Sequence, residues 1–294
     1  EIYARSAERF QDQKSPLLAF GYAATGVGQY KVNPTSGTNA LGGNDRRDTF
    51  YNARIGGGLN YELPDNYALD ASLDYRFRYY DNPASRNDED LRWRAAASRA
   101  MGDGNLTLGA RGRNSYRGQG TYRNDFGLFT NYRYQLDADN QVSVGGEVRR
   151  RRYPNGPMSN RSFSTATGNV GWTHSIAQGQ ASFGLNAHAG SNFNTVRADG
   201  DSTVYGMTTN FDVTFTERLS GFVFGWWEHD AFNTERAHFS PDETNPLVSL
   251  QRQDNLYEVG AGLVWGMGQG WSLRPEMLYI RDQSNAVAFN YSST

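Results

Sequence analysis

Between Asn66 and Tyr80 apolar and polar side chains alternate without error. One set is Tyr67, Leu69, Ala71, Leu73, Tyr75, Phe77 and Tyr79; the other is Ala68, Asp70, Ser72, Asp74, Arg76 and Arg78. Successive side chains of a strand point to opposite faces, so the segment predicts a strand with one apolar and one charged face, whereas a helix would mix the two sets. The pattern recurs along most of the chain. Leu18, Phe20 and Tyr22 alternate with Ala19, Gly21 and Ala23, and Tyr51, Ala53, Ile55, Leu59 and Tyr61 oppose Asn52, Arg54, Gly56, Gly58 and Asn60. Further apolar faces are predicted at Leu91, Trp93, Ala95 and Ala97; at Leu106, Leu108 and Ala110; and at Phe126, Leu128, Tyr132, Tyr134 and Leu136. Then follow Val142, Val144 and Val148; Ala166, Val170 and Trp172; Phe183, Leu185 and Ala187; and Met207, Phe211, Val213 and Phe215. The series closes with Phe222, Phe224 and Trp226; Tyr257 to Trp265; Trp271, Leu273, Met277 and Tyr279; and a partial strand of Val287, Phe289 and Tyr291.

The connections carry a second regularity. Tight turns such as Pro64-Asp65-Asn66, Gly102-Asp103-Gly104-Asn105 and Ala138-Asp139-Asn140 alternate strictly with longer polar loops, including 81–90 and the longest, from Asn233 to Leu250. Short periplasmic turns and long extracellular loops are how outer-membrane barrels are built. With the short turns at the periplasm, Tyr61, Tyr67, Tyr134, Trp172, Phe215, Trp265 and Trp271 fall near one rim as an aromatic girdle. The competing fold is a soluble all-β sandwich or propeller. Strands of about 12 to 16 residues exceed both the usual soluble length and the roughly 9 to 11 needed to cross lipid. So many long strands in a soluble sheet would also leave wide unprotected edges. The expected fold is an all-β, transmembrane, antiparallel up-and-down barrel of about 14 strands, with 16 as the alternative.

Composition narrows the picture. Hydrophobic residues make up 37% of the 294 residues, low for a membrane protein built of helices, and no apolar run is long enough to form a spanning helix. A barrel escapes that test because half of each strand faces water. Aromatics at 14% argue against disorder, and the absence of cysteine fits an envelope protein. A net charge of -2 gives no global attraction to nucleic acid. No boundary divides the chain, so residues 1–294 are expected to form a single outer-membrane domain, and no signal peptide stands at the start, as in a mature or excised domain.

Strand parity raises a question about the first ten residues. Counted from Pro16 the final strand is too short to cross, while a single-chain bacterial barrel closes with an even number. The segment Trp271, Pro275, Tyr279, Arg281, Ser284, Asn285 and Tyr291, within 270–294, resembles the closing hairpin of the barrel domains of surface lipoprotein assembly modifier (Slam) proteins and similar barrels attached to periplasmic tetratricopeptide repeats. That resemblance implies a last strand ending in phenylalanine, and Glu1 to Phe10 is similar to the missing end. Two readings stand: Glu1 to Phe10 as a circularly permuted closing strand, with Ile2 and Ala4 out of phase with Phe289 and Tyr291 unless a bulge absorbs one residue, or Glu1 to Gln13 as a periplasmic helix left from a repeat domain, with the last strand missing. The resemblance also implies export of a protein or lipoprotein, with a periplasmic tetratricopeptide-repeat domain as a partner.

The candidate chemistry lies on the water-facing side. Arg54, Arg76, Arg78, Arg92, Arg94, Arg111, Arg113, Arg133, Arg149 and Arg151 are accompanied there by fewer acids, Asp70, Asp74, Asp125 and Glu147. Guanidinium is permanently charged, and a narrow low-dielectric wall focuses its field, so such a lining favours anions. The plainer account has the arginines pair with Asp70, Asp74 and Glu147 and fill the interior. Arg150 and Arg152 fall on the outward side near the extracellular rim, in reach of anionic groups of lipopolysaccharide. His174, His188, His229 and His238 lack metal-ligand spacing, and no phosphate-binding glycine loop is present, so neither an enzyme nor a cofactor is expected. Glu228-His229-Asp230 beside Trp226-Trp227 reads as an exposed strand end. Three functions follow: a passive export pore for a protein or lipoprotein; an exopolysaccharide exporter or general anion-preferring porin; and a structural barrel or adhesin.

Overall fold

In a computed structural model the described residues are 16–32, 46–81, 87–117, 120–154, 162–194, 200–238, 248–268, 271–285 and 291–293. Glu1 to Phe10, on which the question of the closing strand turns, and Val287 and Phe289 of the last strand lie outside them. The strands are β1 (Leu17–Val32), β2 (Arg46–Leu63), β3 (Tyr67–Tyr80), β4 (Asp88–Met101), β5 (Gly104–Arg117), β6 (Gly120–Gln135), β7 (Asn140–Arg152) and β8 (Phe163–Ile176). They continue as β9 (Ala181–Phe193), β10 (Ser202–Thr216), β11 (Leu219–His238), β12 (Val248–Gly268), β13 (Trp271–Leu273), β14 (Glu276–Ser284) and β15 (Tyr291–Ser293). β13 and β14 are one crossing interrupted at Arg274 and Pro275, because proline cannot donate to the ladder. The architecture is therefore an up-and-down barrel of 14 antiparallel strands.

Each strand from β1 to β12 pairs with its successor. β12 pairs with β13 and β14, β14 with β15, and β15 with β1. The described pairing returns to its start, but the last link is thin: β15 meets β14 and β1 at three positions each.

The short turns owe their shape to local chemistry. Asp65 and Asn66 both take positive φ (60° and 61°), the conformation a right-twisted hairpin needs and one that Asn and Asp tolerate. At the β6–β7 turn Asp137 Oδ1 accepts hydrogen bonds from the N–H groups of Asp139 and Asn140, both at 2.8 Å. Those bonds, with one from the Asn140 side chain, hold the Asp137 carboxyl below the usual carboxylate range.

The long-loop rim departs from the expected pattern in places. β5 and β6 are joined there across residues 118–119 alone, so short turns and long loops do not alternate strictly. The polar stretch 81–90 ends in strand, since β4 begins at Asp88, and the 233–250 connection is shortened by β11 running to His238 and β12 starting at Val248.

Large apolar side chains cover the outside, from Tyr75 at 37% exposure to Met277 at 76%. Tyr61, Tyr67, Tyr134, Trp172, Phe215 and Trp265 are exposed at the short-turn rim, as the girdle requires; the Trp271 side chain lies outside the described set. Only Phe50, Ala96, Val204 and Phe222 are buried hydrophobics among the described residues. The apolar surface faces outward, inverting a soluble protein.

Two strands reverse the expected phase. In β11, Val223 is exposed (50%) and pairs with exposed Phe211, which puts Phe222, Phe224 and Trp226 inside. In β1, Leu17 and Val27 are exposed while Leu18, Phe20 and Tyr22 turn inward. The reason is the same in both: inward rings lie over glycines of the neighbouring strand. A Cβ on Gly262 would stand 2.5 Å from the Phe222 ring, and one on Gly260 2.4 Å from that of Phe224. Phe20 and Tyr22 cover Gly58 and Gly56 in the same way. Phe222 and Phe224 stack at 6.4 Å, and the Arg274 guanidinium sits over Phe222 at 4.3 Å.

The inside-out arrangement predicts opposite responses on neighbouring residues. Val144 is 58% exposed on the outer face of β7, and Val144→Arg is expected to lower stability by about 2–4 kcal/mol if near the bilayer midplane, with little change for Ser143→Arg. Denaturant unfolding in lipid vesicles measures both, and equal losses would mean the faces are misassigned.

Candidate functional site: the arginine-lined interior

The site forms because even-spaced charged residues of adjacent strands fall in register. Arg54 lies beside Arg76, which lies beside Asp90; Asp74 beside Arg92, then Arg113, then Asp125, then Arg151. A second row runs Ser72, Arg94, Arg111, Gly127, Arg149. Asp70 and Arg78 on β3, Arg133 on β6 and Glu147 on β7 share this parity. All the candidates named from the sequence thus lie on the face turned away from the exposed apolar residues, which is the interior of the ring.

Most are paired. Arg54 Nε contacts Asp74 at 2.5 Å, and Tyr22 donates its hydroxyl to the same carboxylate. Arg94 pairs with Asp70 at 3.3 Å, and Arg111 grips Glu147 through Nε at 3.0 Å and through Nη2. Asp125 takes Arg123 and, at 3.4 Å, Arg151. Arg78 reaches Asp88 at 3.9 Å and lies over the Phe50 ring.

The hub is the last residue of the polar stretch 81–90, whose composition predicts a loop. Asp90 is 2% exposed and accepts from Arg113 Nε at 2.7 Å, Arg113 Nη2 at 2.8 Å and Ser115 Oγ at 2.6 Å, and it pairs with Arg76. Its parity with Arg92 and Arg94 was the available signal. Arg92 and Arg149 differ from the other arginines of these two rows in one respect: neither has a carboxylate at ion-pair distance among the described residues. Arg133 is exposed near the short-turn rim.

The opposite arc is acidic, in contrast to the basic lining that the sequence predicts. Register places Glu228 and Asp230 of β11, Asp254 and Glu258 of β12, and Glu276 and Asp282 of β14 inside. Glu228 and Asp230 share the parity of Phe222, Phe224 and Trp226; placing that set in lipid would have put two carboxylates there too, a conflict visible in the sequence. Arg252 pairs with Asp254, Arg274 with Glu276 at 3.4 Å, and His188 Nε2 meets Glu228 at 3.1 Å. The ion-paired arginines remain partly open to solvent, from 15% for Arg123 to 46% for Arg111, so water reaches this interior.

The other histidines are separate. His174 is stacked on Trp172 and contacts Asn140 at 3.1 Å; His229 contacts Asn255 at 3.0 Å. The His238 side chain lies outside the described set. No group of three or more His, Cys, Asp or Glu is placed to hold a metal among the described residues.

The strand ring, its greasy exterior and its charged interior define a bacterial outer-membrane β-barrel. Neither a family model nor a curated protein matches the chain. Among solved structures, a variant of the TodX monoaromatic hydrocarbon channel is similar over 94% of this chain and 87% of its own, at 8% identity and a TM-score of 0.56. A loop-deletion variant of OmpT, an outer-membrane protein of Vibrio cholerae, is 9% identical over 95% of this chain and 98% of its own, TM-score 0.44. The translocator domain of the autotransporter NalP from Neisseria meningitidis is 12% identical over 99% and 92%, TM-score 0.37. The TodX likeness is one of fold.

Removing the hub's charge leaves two arginines facing each other. Asp90→Asn is expected to destabilise the barrel by about 3 kcal/mol, the lower end for breaking a buried ion pair because both arginines keep some solvent. Urea unfolding followed by tryptophan fluorescence checks it, and a shift under about 1 kcal/mol, the range of exposed pairs, would remove Asp90 from its central place.

Proposed function

We propose that this outer-membrane barrel is a passive pore whose interior favours anions. The observation that carries the reading is Arg92 and Arg149, half-buried and the two guanidiniums of the registered rows without a carboxylate at ion-pair distance among the described residues. A paired arginine presents little net field; an unpaired one in a narrow wall attracts an anion by about 1 kcal/mol at contact in water and about 4 at an effective dielectric of 20. Since 1.4 kcal/mol is a factor of ten in an equilibrium, two such groups are enough to set a preference. The acidic arc steers an anion towards the arginine side.

An anionic polysaccharide suits this lining, because repeated carboxylates can step along it without any energy source in the chain. Export of a protein or lipoprotein is the second reading, supported by the resemblance of the closing hairpin to Slam barrels. Part of that motif has local work to do: Pro275 interrupts the crossing between β13 and β14, and Asn285 clamps β12 by accepting from Gln253 N–H at 2.8 Å and donating to the Gln251 carbonyl at 2.9 Å.

Planar-bilayer recordings under a KCl gradient test the pore. The reversal potential is expected to favour chloride, and Arg92→Gln with Arg149→Gln is expected to lower the chloride-to-potassium ratio several-fold. An unchanged ratio would reject the assignment of selectivity to these two residues, and absence of conductance would favour the structural barrel or adhesin.

A further inference from the structure

The outer face of β7 and β8 carries a feature the pore does not use. Near the long-loop rim an open groove of about 280 Å³ runs between Phe126, Leu128 and Val148 on one side and Phe193 on the other. Its floor is low because Ser164 and Ala166 are small, and Arg150 stands in its wall. Register fixes the order: Phe126 beside Arg150 beside Ser164 beside Phe193, and Leu128 beside Val148 beside Ala166 one step nearer the periplasm.

Arg150 and Arg152 are exposed on this outward face. Neither has an ion pair or hydrogen bond among the described residues. Their outward neighbours at this level are uncharged: Phe126 and Asn124 on β6, Ser164 on β8 and Phe193 on β9, with Asn124 bonded to Asn114 at 3.0 Å. An arginine on the lipid face costs about 2–4 kcal/mol at the midplane and about 0–1 near the interface, so these two are tolerated at headgroup depth. They sit at the rim that faces the cell exterior, where anionic headgroups can meet them.

We propose that Arg150 and Arg152, with the groove beneath, hold lipopolysaccharide through the phosphates of its acylated sugar core. Guanidinium binds phosphate through paired N–H donors, which supplies affinity and orientation. The groove contributes contact rather than a hydrophobic gain, because an acyl chain leaves one apolar medium for another. Its apolar walls directly below two cations match a ligand with phosphate above and acyl chain below. The inference uses the membrane placement and is independent of any pore activity.

Native mass spectrometry of the full chain folded in detergent tests this, with bis-phosphorylated lipid A, the same lipid A dephosphorylated, and phosphatidylglycerol as probes. The unaltered chain is expected to retain one phosphorylated lipid A. R150Q with R152Q is expected to reduce the retained fraction about ten-fold, R150K with R152K to keep much of it, and A166F, which fills the groove floor, to reduce it several-fold. Heat-modifiable migration on gels confirms that each variant is folded. Equal retention by the R150Q/R152Q variant would overturn the site, as would equal retention of dephosphorylated lipid A or phosphatidylglycerol.

Discussion

The structure depends on one requirement: in hydrocarbon every backbone N–H and C=O needs a partner within the protein, because no water is there to supply one. Strands meet it only by pairing on both sides, which bends the sheet into a ring and gives each residue one of two destinations, lipid or interior. Side-chain period then does the sorting. Val144 and Ser143, adjacent in sequence, look into different solvents. The register of one ladder fixes the faces of the next, so the two-fold rhythm of Tyr67 to Tyr79 is propagated from strand to strand.

Within the ring, charge is handled by sharing. Arginines outnumber acids along β2 to β7, and Asp90 and Asp125 each serve two guanidiniums. In the two registered rows Arg92 and Arg149 are left over among the described residues. Across the interior the balance reverses, with carboxylates from β11, β12 and β14 outnumbering Arg252 and Arg274. A chain that is almost neutral therefore carries a polarised interior.

The architecture was legible because lipid-facing strands leave few choices. Strand number, the aromatic rim and the basic arc all follow from parity and turn length. What failed was the assumption that an aromatic residue belongs in lipid. Phe222, Phe224, Phe20 and Tyr22 lie inside, each ring filling the space above a glycine, and that pairing joins residues on different strands. Gly56, Gly58, Gly260 and Gly262 occupy positions where their strands otherwise put charge, which was the trace left in the sequence. Asp90 was missed for a simpler reason: a run of polar residues resembles a loop until its parity with Arg92 is followed backwards.

The stacked Phe222 and Phe224, seated on Gly262 and Gly260 and capped by Arg274, have a geometric effect. They thicken one side of the wall with groups that neither carry charge nor bind water strongly. The interior at this level is therefore uneven, apolar rings on the β11–β12 side and arginines on β4 and β5. A traveller inside this protein passes between unlike banks.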